Sequence, residues 1–265
     1  MSERFKSLSK LPNQPAARLL AQANCKLETQ LEAPASASIE AVLTELEGLK
    51  AYADMLMVLS CSLPPRERVW WSCLAARDVI PDPTRLPPPL AASEAWVFNP
   101  NTENRQAAAD AINVAEVGDD TVHCASAVVW FDGTLGPADL AQFPAPAGAA
   151  EMSVFAMAVI AWCRDDVQMD AMGEVLVERA LDIARGGSGN FAAPPMTVVE
   201  EDEEEEEDDE EEEEPEEEEE DDLEEEEEPE EEEEPDEDED DDEAETAQDT
   251  QPEKVTSHAP RIPHD

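Results

Sequence analysis

His123 and Cys124 stand side by side in the chain. A thiol and an imidazole are the minimal equipment of a cysteine hydrolase, in which the ring takes the thiol proton and a third group orients the ring. Adjacent residues on a helix project about 100° apart, however, so these two neighbours do not face each other. They read as a helix-embedded histidine and a buried thiol. The carboxylate pairs Asp119–Asp120 and Asp165–Asp166 have the residue types for acid–base work or metal ligation, but both fall at helix junctions, where a capping or solvated role is expected. The stretch GGSGN, Gly186–Asn190, follows a helix instead of opening one. It therefore reads as a cap and hinge and not as a phosphate loop. CxxC, HExxH, GxSxG, GxxxxGKS and GxGxxG motifs are absent. The expectation is a non-enzymatic protein with no catalytic residue, no metal and no cofactor.

The residues suited to interaction are of another kind. Trp70 and Trp71 form a pair, Trp130 and Trp162 stand apart from it, and Arg66, Arg68 and Arg77 share one helix with Glu67 and Asp78. Tryptophan favours interfaces, but core volume is the expectation for Trp70 and Trp71. Arg66 and Arg77 lie eleven residues apart, three turns along one stripe, free to pair with Glu67 and Asp78 or with the protein's own tail.

Helices must position these residues. Alanine and leucine dominate residues 11–189, and turn signals recur at intervals suited to helices of ten to fifteen residues. A short helix is predicted from Pro15, with Leu19, Leu20 and Ala23 inward. Ser38 should cap a helix that buries Ile39, Val42, Leu43 and Leu46 and stops or bends at Gly48. Leu49–Leu63 follows, with Tyr52, Met55, Leu56 and Leu59 on one face, until Pro64 and Pro65 stop it. The next helix starts on those prolines and should bury Val69, Trp70, Cys73 and Leu74, with Trp71 on a second face; that breadth marks it as central. Pro81, Pro83 and Pro87–Pro89 read as a rigid extended connector.

Beyond the connector, a helix over Leu90–Phe98 leads to Asn99 and Pro100, which should cap a helix through Val114. Another holds Val122, Ala125, Val128, Val129 and Trp130, and residues 142–148 form a Pro/Ala linker. Ala149–Arg164 is strongly apolar, and the last helix puts Met172, Val175, Leu176, Ala180 and Ile183 on one side before Gly186 ends it. The fold class is all-α, a single domain of seven or eight helices; Val128–Phe131 is the only strand-like stretch. The expected partition is a flexible segment 1–10, a helical domain 11–189 and a disordered tail 190–265.

The tail is defined by charge. Glu200–Glu245 is an acidic run broken only by Pro215, Leu223, Pro229, Pro235 and Ala244. Of 69 acidic residues, 44 lie from Glu200 onward, against Lys254 and Arg261 alone, a formal charge of −42 within a total of −53. Such a segment has almost no apolar surface to offset backbone ordering, about 1–2 kcal/mol per residue. It repels nucleic acid and anionic lipid and attracts basic proteins, polyamines and divalent cations. It lacks the glycine and the alternating oxygen ligands of a calcium loop. The plausible partner is thus a basic protein, with no nucleic acid and no membrane. The longest apolar stretch, Val154–Cys163, is well short of the roughly 20 residues a bilayer requires, and residues 1–10 carry no secretory signal, so a soluble cytoplasmic protein is expected. Five scattered cysteines, Cys25, Cys61, Cys73, Cys124 and Cys163, read as reduced core thiols.

Three segments carry a family resemblance. LPPRERVWWSCLAARDVIPD, LAASEAWVFNPNTENRQAAADAINVA and LVERALDIARGG resemble an uncharacterised bacterial all-helical family with a PPRExVWWxCLxAR helix, an AxEAWVxxPxxENRxAA helix pair and a terminal LDIARG. The resemblance covers roughly residues 51–187 and implies an association with bacterial secretion and toxin neighbourhoods. The AxEAW motif and its alanine-rich helix are also similar to all-helical immunity proteins of contact-dependent toxin systems. Neither supplies an active site. Through these motifs Trp96, Asn104 and Arg105 join Arg66, Glu67, Trp70, Trp71 and Arg77 as candidate structural or interaction residues. The expected function is a protein–protein interaction module, an accessory of a secretion or effector system; the alternative is an immunity protein that blocks a basic toxin by acidic mimicry.

Overall fold

The computed structural model describes residues 3–197. Among them are nine α-helices: α1 (Ala16–Gln22), α2 (Ile39–Gly48), α3 (Tyr52–Ser62), α4 (Pro65–Arg77), α5 (Pro88–Phe98), α6 (Thr102–Asn113), α7 (Val122–Val129), α8 (Ala149–Trp162) and α9 (Met169–Arg185). Short 3-10 turns occupy Glu3–Phe5, Ala138–Gln142 and Asp166–Gln168. The described residues are all-α, with two isolated β-bridges and no strand. Val128–Phe131 belongs to the end of α7 and its cap. The acidic run lies outside the described residues.

Local chemistry sets most of the boundaries. The Ser38 hydroxyl accepts from the Ala41 amide at 3.3 Å and opens α2. Pro65 and Pro88 sit in the first turns of α4 and α5, where no intrahelical N–H is needed. The Pro87–Pro89 run therefore starts a helix instead of completing an extended connector. The cap of α6 is Asn101, whose Oδ1 accepts from the Asn104 amide at 2.7 Å; Asn99, proposed with Pro100 for that role, instead terminates α5. Asp119 and Asp165 accept from the Thr121 and Val167 amides, each at 3.0 Å, so both aspartate pairs include a junction-capping member. Gly186, at φ 101°, ends α9. Asp182 then accepts the Gly187 amide on its carbonyl and the Gly189 amide on Oδ2, which closes the glycine stretch into a cap with no free hinge.

α4 and α8 pack side by side at the centre. α5, α6 and α7 cluster on one flank, and α1, α3 and α9 cover the other, with α2 outside α3. Nearly every side chain of α3 is buried, the condition of a helix enclosed on all sides. In α4 the assignment of the tryptophans is the reverse of that expected. Trp71 is fully buried, its Nε1–H donating to the Leu176 carbonyl at 3.0 Å, while Trp70 is half-buried and donates to the Ser188 carbonyl at 2.7 Å. The reason lies in the small residues beside Trp71. Ser72, Ala75 and Ala76 let neighbouring helices close on that side of α4, whereas Arg66, Glu67, Trp70 and Arg77 mark its outer stripe.

Both ends of the helical domain extend further than expected. The segment 1–10, read as flexible, is anchored from residue 3: Phe5 and Leu8 are buried in the core. Arg4 also reaches Glu47, Glu174 and Glu178 at 2.5–2.6 Å. Burial alone would lower the pKa of Arg4, but the three carboxylates more than offset it and the net shift is upward. At the other end, residues 190–197 are held by the body and are not tail. Phe191 O accepts from Arg179, Pro194 O from Arg164, and the Thr197 amide donates to Asp165 at 2.6 Å. Four of the cysteines are buried free thiols; Cys163, at the end of α8, is exposed.

Two outcomes follow from the packing. Trp71→Ala should destabilise the protein by about 3–5 kcal/mol in chemical denaturation, the range for a fully buried large aromatic, and Trp70→Ala by less than half of that. Tyr52 donates to Glu174 at 2.8 Å, and burial together with that carboxylate pushes its phenol up to about 12. A raised folded-state pKa stabilises the protein fully below the ordinary phenol range, near 10, and that contribution is lost as pH rises toward 12. Denaturation midpoints across this window should fall for the native chain, and the fall should be smaller for Tyr52→Phe.

Candidate functional site

The candidate residues on α4, α5 and α6 converge on helix ends. Arg66 Nε donates to the Val97 carbonyl at 2.6 Å. Asn104 Nδ2 donates to the carbonyls of Ala95 and Asn99 at 3.2 and 2.8 Å. Together they satisfy the last turn of α5. Arg105, buried, sends Nε and Nη2 to the Val129 carbonyl at the end of α7, with Nε at 3.0 Å, and grips Asp132 through Nη1 and Nη2 at 2.8 Å each. Burial pushes the Asp132 carboxyl up, but hydrogen bonds from Thr134 and the Arg105 charge pull it down further, below the usual carboxylate range. Phe131 packs against Trp96 at a tilt of 51° with ring centroids 4.8 Å apart and lies beneath the Arg105 guanidinium at 5.0 Å.

The remaining candidates are also engaged. Arg77 forms a two-pronged pair with Glu94 at 2.6 and 2.8 Å, and that carboxylate raises its pKa. Glu67 pairs with Lys10 at 2.9 Å, and not with a neighbour on α4. Asp78 pairs with Arg179, a residue 101 positions away. Trp70 meets Phe98 edge-on at 5.9 Å, and Phe98 is 70% exposed, which makes this the aromatic surface among the candidates. Trp71 and Trp96 are core.

The buried thiols lie in apolar surroundings. Cys124 is buried against Cys73, and burial raises the Cys73 pKa well above the ordinary thiol value. Burial likewise raises the neighbouring Cys25 and Cys61. Such groups stay as neutral thiols and are poor nucleophiles and ligands. Among the described residues no three His, Cys, Asp or Glu side chains converge as a metal site, and no helix is long and apolar enough to cross a membrane.

A cleft of about 560 Å³ opens where the N-termini of α4 and α8 meet. Leu19, Leu63, Pro65, Trp130 and Phe131 supply apolar wall, and Lys10, Arg68 and Glu151 bring charge to it. Arg68 is 7% exposed, and its Nη1 pairs with Glu151 at 2.5 Å. Sequence reasoning placed Arg68 beside Glu67 and Asp78. Glu151, 83 residues away, carries no local signal that would have linked it to Arg68.

If Arg105 serves chiefly to close α7, Arg105→Met should cost about 2–4 kcal/mol in denaturation, the loss of several charge-assisted hydrogen bonds. Arg105→Lys should recover less than half of this, because an ammonium cannot span a carbonyl and a carboxylate as the planar guanidinium does.

No curated protein matches the chain, and no solved structure does. A family model matches residues 42–184, from within α2 to the last turn of α9. The chain belongs to DUF6931, a family of unknown function.

Proposed function

We propose that the protein is a non-enzymatic protein–protein interaction module, in which the helical domain docks a protein partner and the acidic run attracts a basic one. The observation that carries this reading is the charge of −42 from Glu200 onward. The helical domain supports it. Of the basic residues in the described region, only Arg18, Lys26 and Arg85 have no ion pair or side-chain hydrogen bond; the others are engaged with carboxylates or carbonyls. Among the described residues few cations are therefore left unpaired for a phosphate backbone, which argues against a nucleic-acid partner. The exposed Phe98, edge-on to Trp70, offers an aromatic anchor of the kind partners use. A place as a cytoplasmic accessory of a bacterial secretion or effector system is the setting we propose.

The test uses the full chain and a variant in which residues 200–245 are scrambled at equal composition. Titrated with a cationic protein by calorimetry, both should bind, and both affinities should fall about tenfold or more between low and physiological salt. A scrambled chain that fails while the native chain keeps its affinity at high salt would replace charge attraction with a defined recognition element at Pro215, Leu223, Pro229 and Pro235.

A further inference from the structure

Two of the arginines that close helix ends use their donors thoroughly, whereas Arg164 leaves its buried Nε without a partner. Arg105 spends Nε, Nη1 and Nη2 on Val129, Asp132 and Thr134, and Arg179 spends its own on Leu74, Asp78 and Phe191. Arg68, equally buried, does not. Nη1 meets Glu151, Nε is enclosed without a partner, and Nη2 bonds to nothing among the described residues. A buried guanidinium with idle N–H groups is costly unless an acceptor completes it.

The idle donors lie where the backbone offers more. α8, fourteen residues long, starts at Gly148 with no side-chain cap, so the Ala150 and Glu151 amides of its first turn, both on the cleft wall, have no acceptor within the protein. α4 also starts without a side-chain cap, at Pro64, so the positive ends of two helices meet at one cleft. The charge count limits what fits. Glu151 already sits on Arg68, and Glu67 on Lys10, so the cleft has no excess of cations to hold a dianion. Beyond the polar end the wall is apolar, formed by Leu19, Leu63, Pro65, Trp130 and Phe131.

We propose that this cleft binds a small monocarboxylate with an apolar body, its carboxylate on Arg68 and the first-turn amides of α8 and its body against Trp130 and Phe131. The site is independent of the acidic run. Glu151 then acts as a resident competitor: it holds Arg68 by one nitrogen and is displaced or shares the guanidinium when the ligand enters.

The experiment is a titration of the full chain, in buffer salt sufficient to screen the acidic run, with phenylacetate, its methyl ester and phenyl phosphate. It is followed by tryptophan fluorescence and calorimetry. Phenylacetate should saturate the protein, and the ester should bind at least about tenfold more weakly, the loss expected when charge-assisted hydrogen bonds to a guanidinium disappear. Glu151→Gln should tighten phenylacetate several-fold, a gain that a loss of folding cannot mimic. Ala147→Trp, at an exposed rim position, should abolish binding while leaving the melting temperature unchanged. The assignment is overturned if neither the native chain nor Glu151→Gln saturates at about 10 mM ligand, a dissociation constant too weak to mark a built site. Equal binding of acid and ester would overturn the role of Arg68. Tighter binding of phenyl phosphate would overturn the charge count, and unchanged binding in Ala147→Trp would remove the ligand from the cleft.

Discussion

The bundle depends on arginine closing the carboxyl ends of its helices. Nine helices in under two hundred residues means many helix ends inside the protein, and each C-terminus presents carbonyls with no intrahelical partner and a partial negative charge. Water cannot satisfy those that are buried. The chain answers with guanidinium groups: Arg66 on Val97, Arg105 on Val129, Arg179 on Leu74 and Arg164 on the Asp78 carbonyl. Arg105 and Arg179 also grip a carboxylate, Asp132 or Asp78, so that one planar head ties a helix end to a second element. Lysine, with a single compact head, has no equivalent geometry.

This explains the character of the motifs on α4–α6. The Arg, Glu, Asn and Trp residues that stand out there do not form a reactive constellation. Asn104 and Arg66 close α5, Arg105 closes α7, Glu94 binds Arg77, and Trp96 packs under Phe131. They describe how three short helices are joined. The DUF6931 family model covers these same helices.

Most of the cations of the helical domain are paired within it, with Arg18, Lys26 and Arg85 exposed and unpaired, while the chain from Glu200 carries the largest concentration of charge. The Arg68 cleft stands between these extremes: it is apolar in its walls, nearly neutral in total charge and oversupplied with N–H donors. Unused donors in a cleft and a long acidic run favour opposite ligand chemistries, the first an anion and the second a cation.

The sequence by itself determined the all-α class, the start of α2 at Ser38, the proline-opened α4 and the glycine stop of α9. Each of these is written in residues within one helical turn of one another: a hydroxyl three positions from an amide, a ring that fixes φ, a glycine that adopts positive φ. Inward faces such as Ile39, Val42, Leu43 and Leu46 were equally legible, because their period repeats locally. Only the tertiary structure decided that Trp71 and not Trp70 is core, that Phe5 and Leu8 anchor the first residues, that residues 190–197 belong to the domain, and that Arg4, Arg68 and Arg179 find Glu174, Glu151 and Asp78. On a helix as broadly apolar as α4, more than one face satisfies the pattern, and the choice falls to the neighbour that can approach most closely over Ser72 and Ala75. Long charged side chains carry no periodicity that names a partner 83 or 170 residues away; their pairing is set by which helices the core brings together.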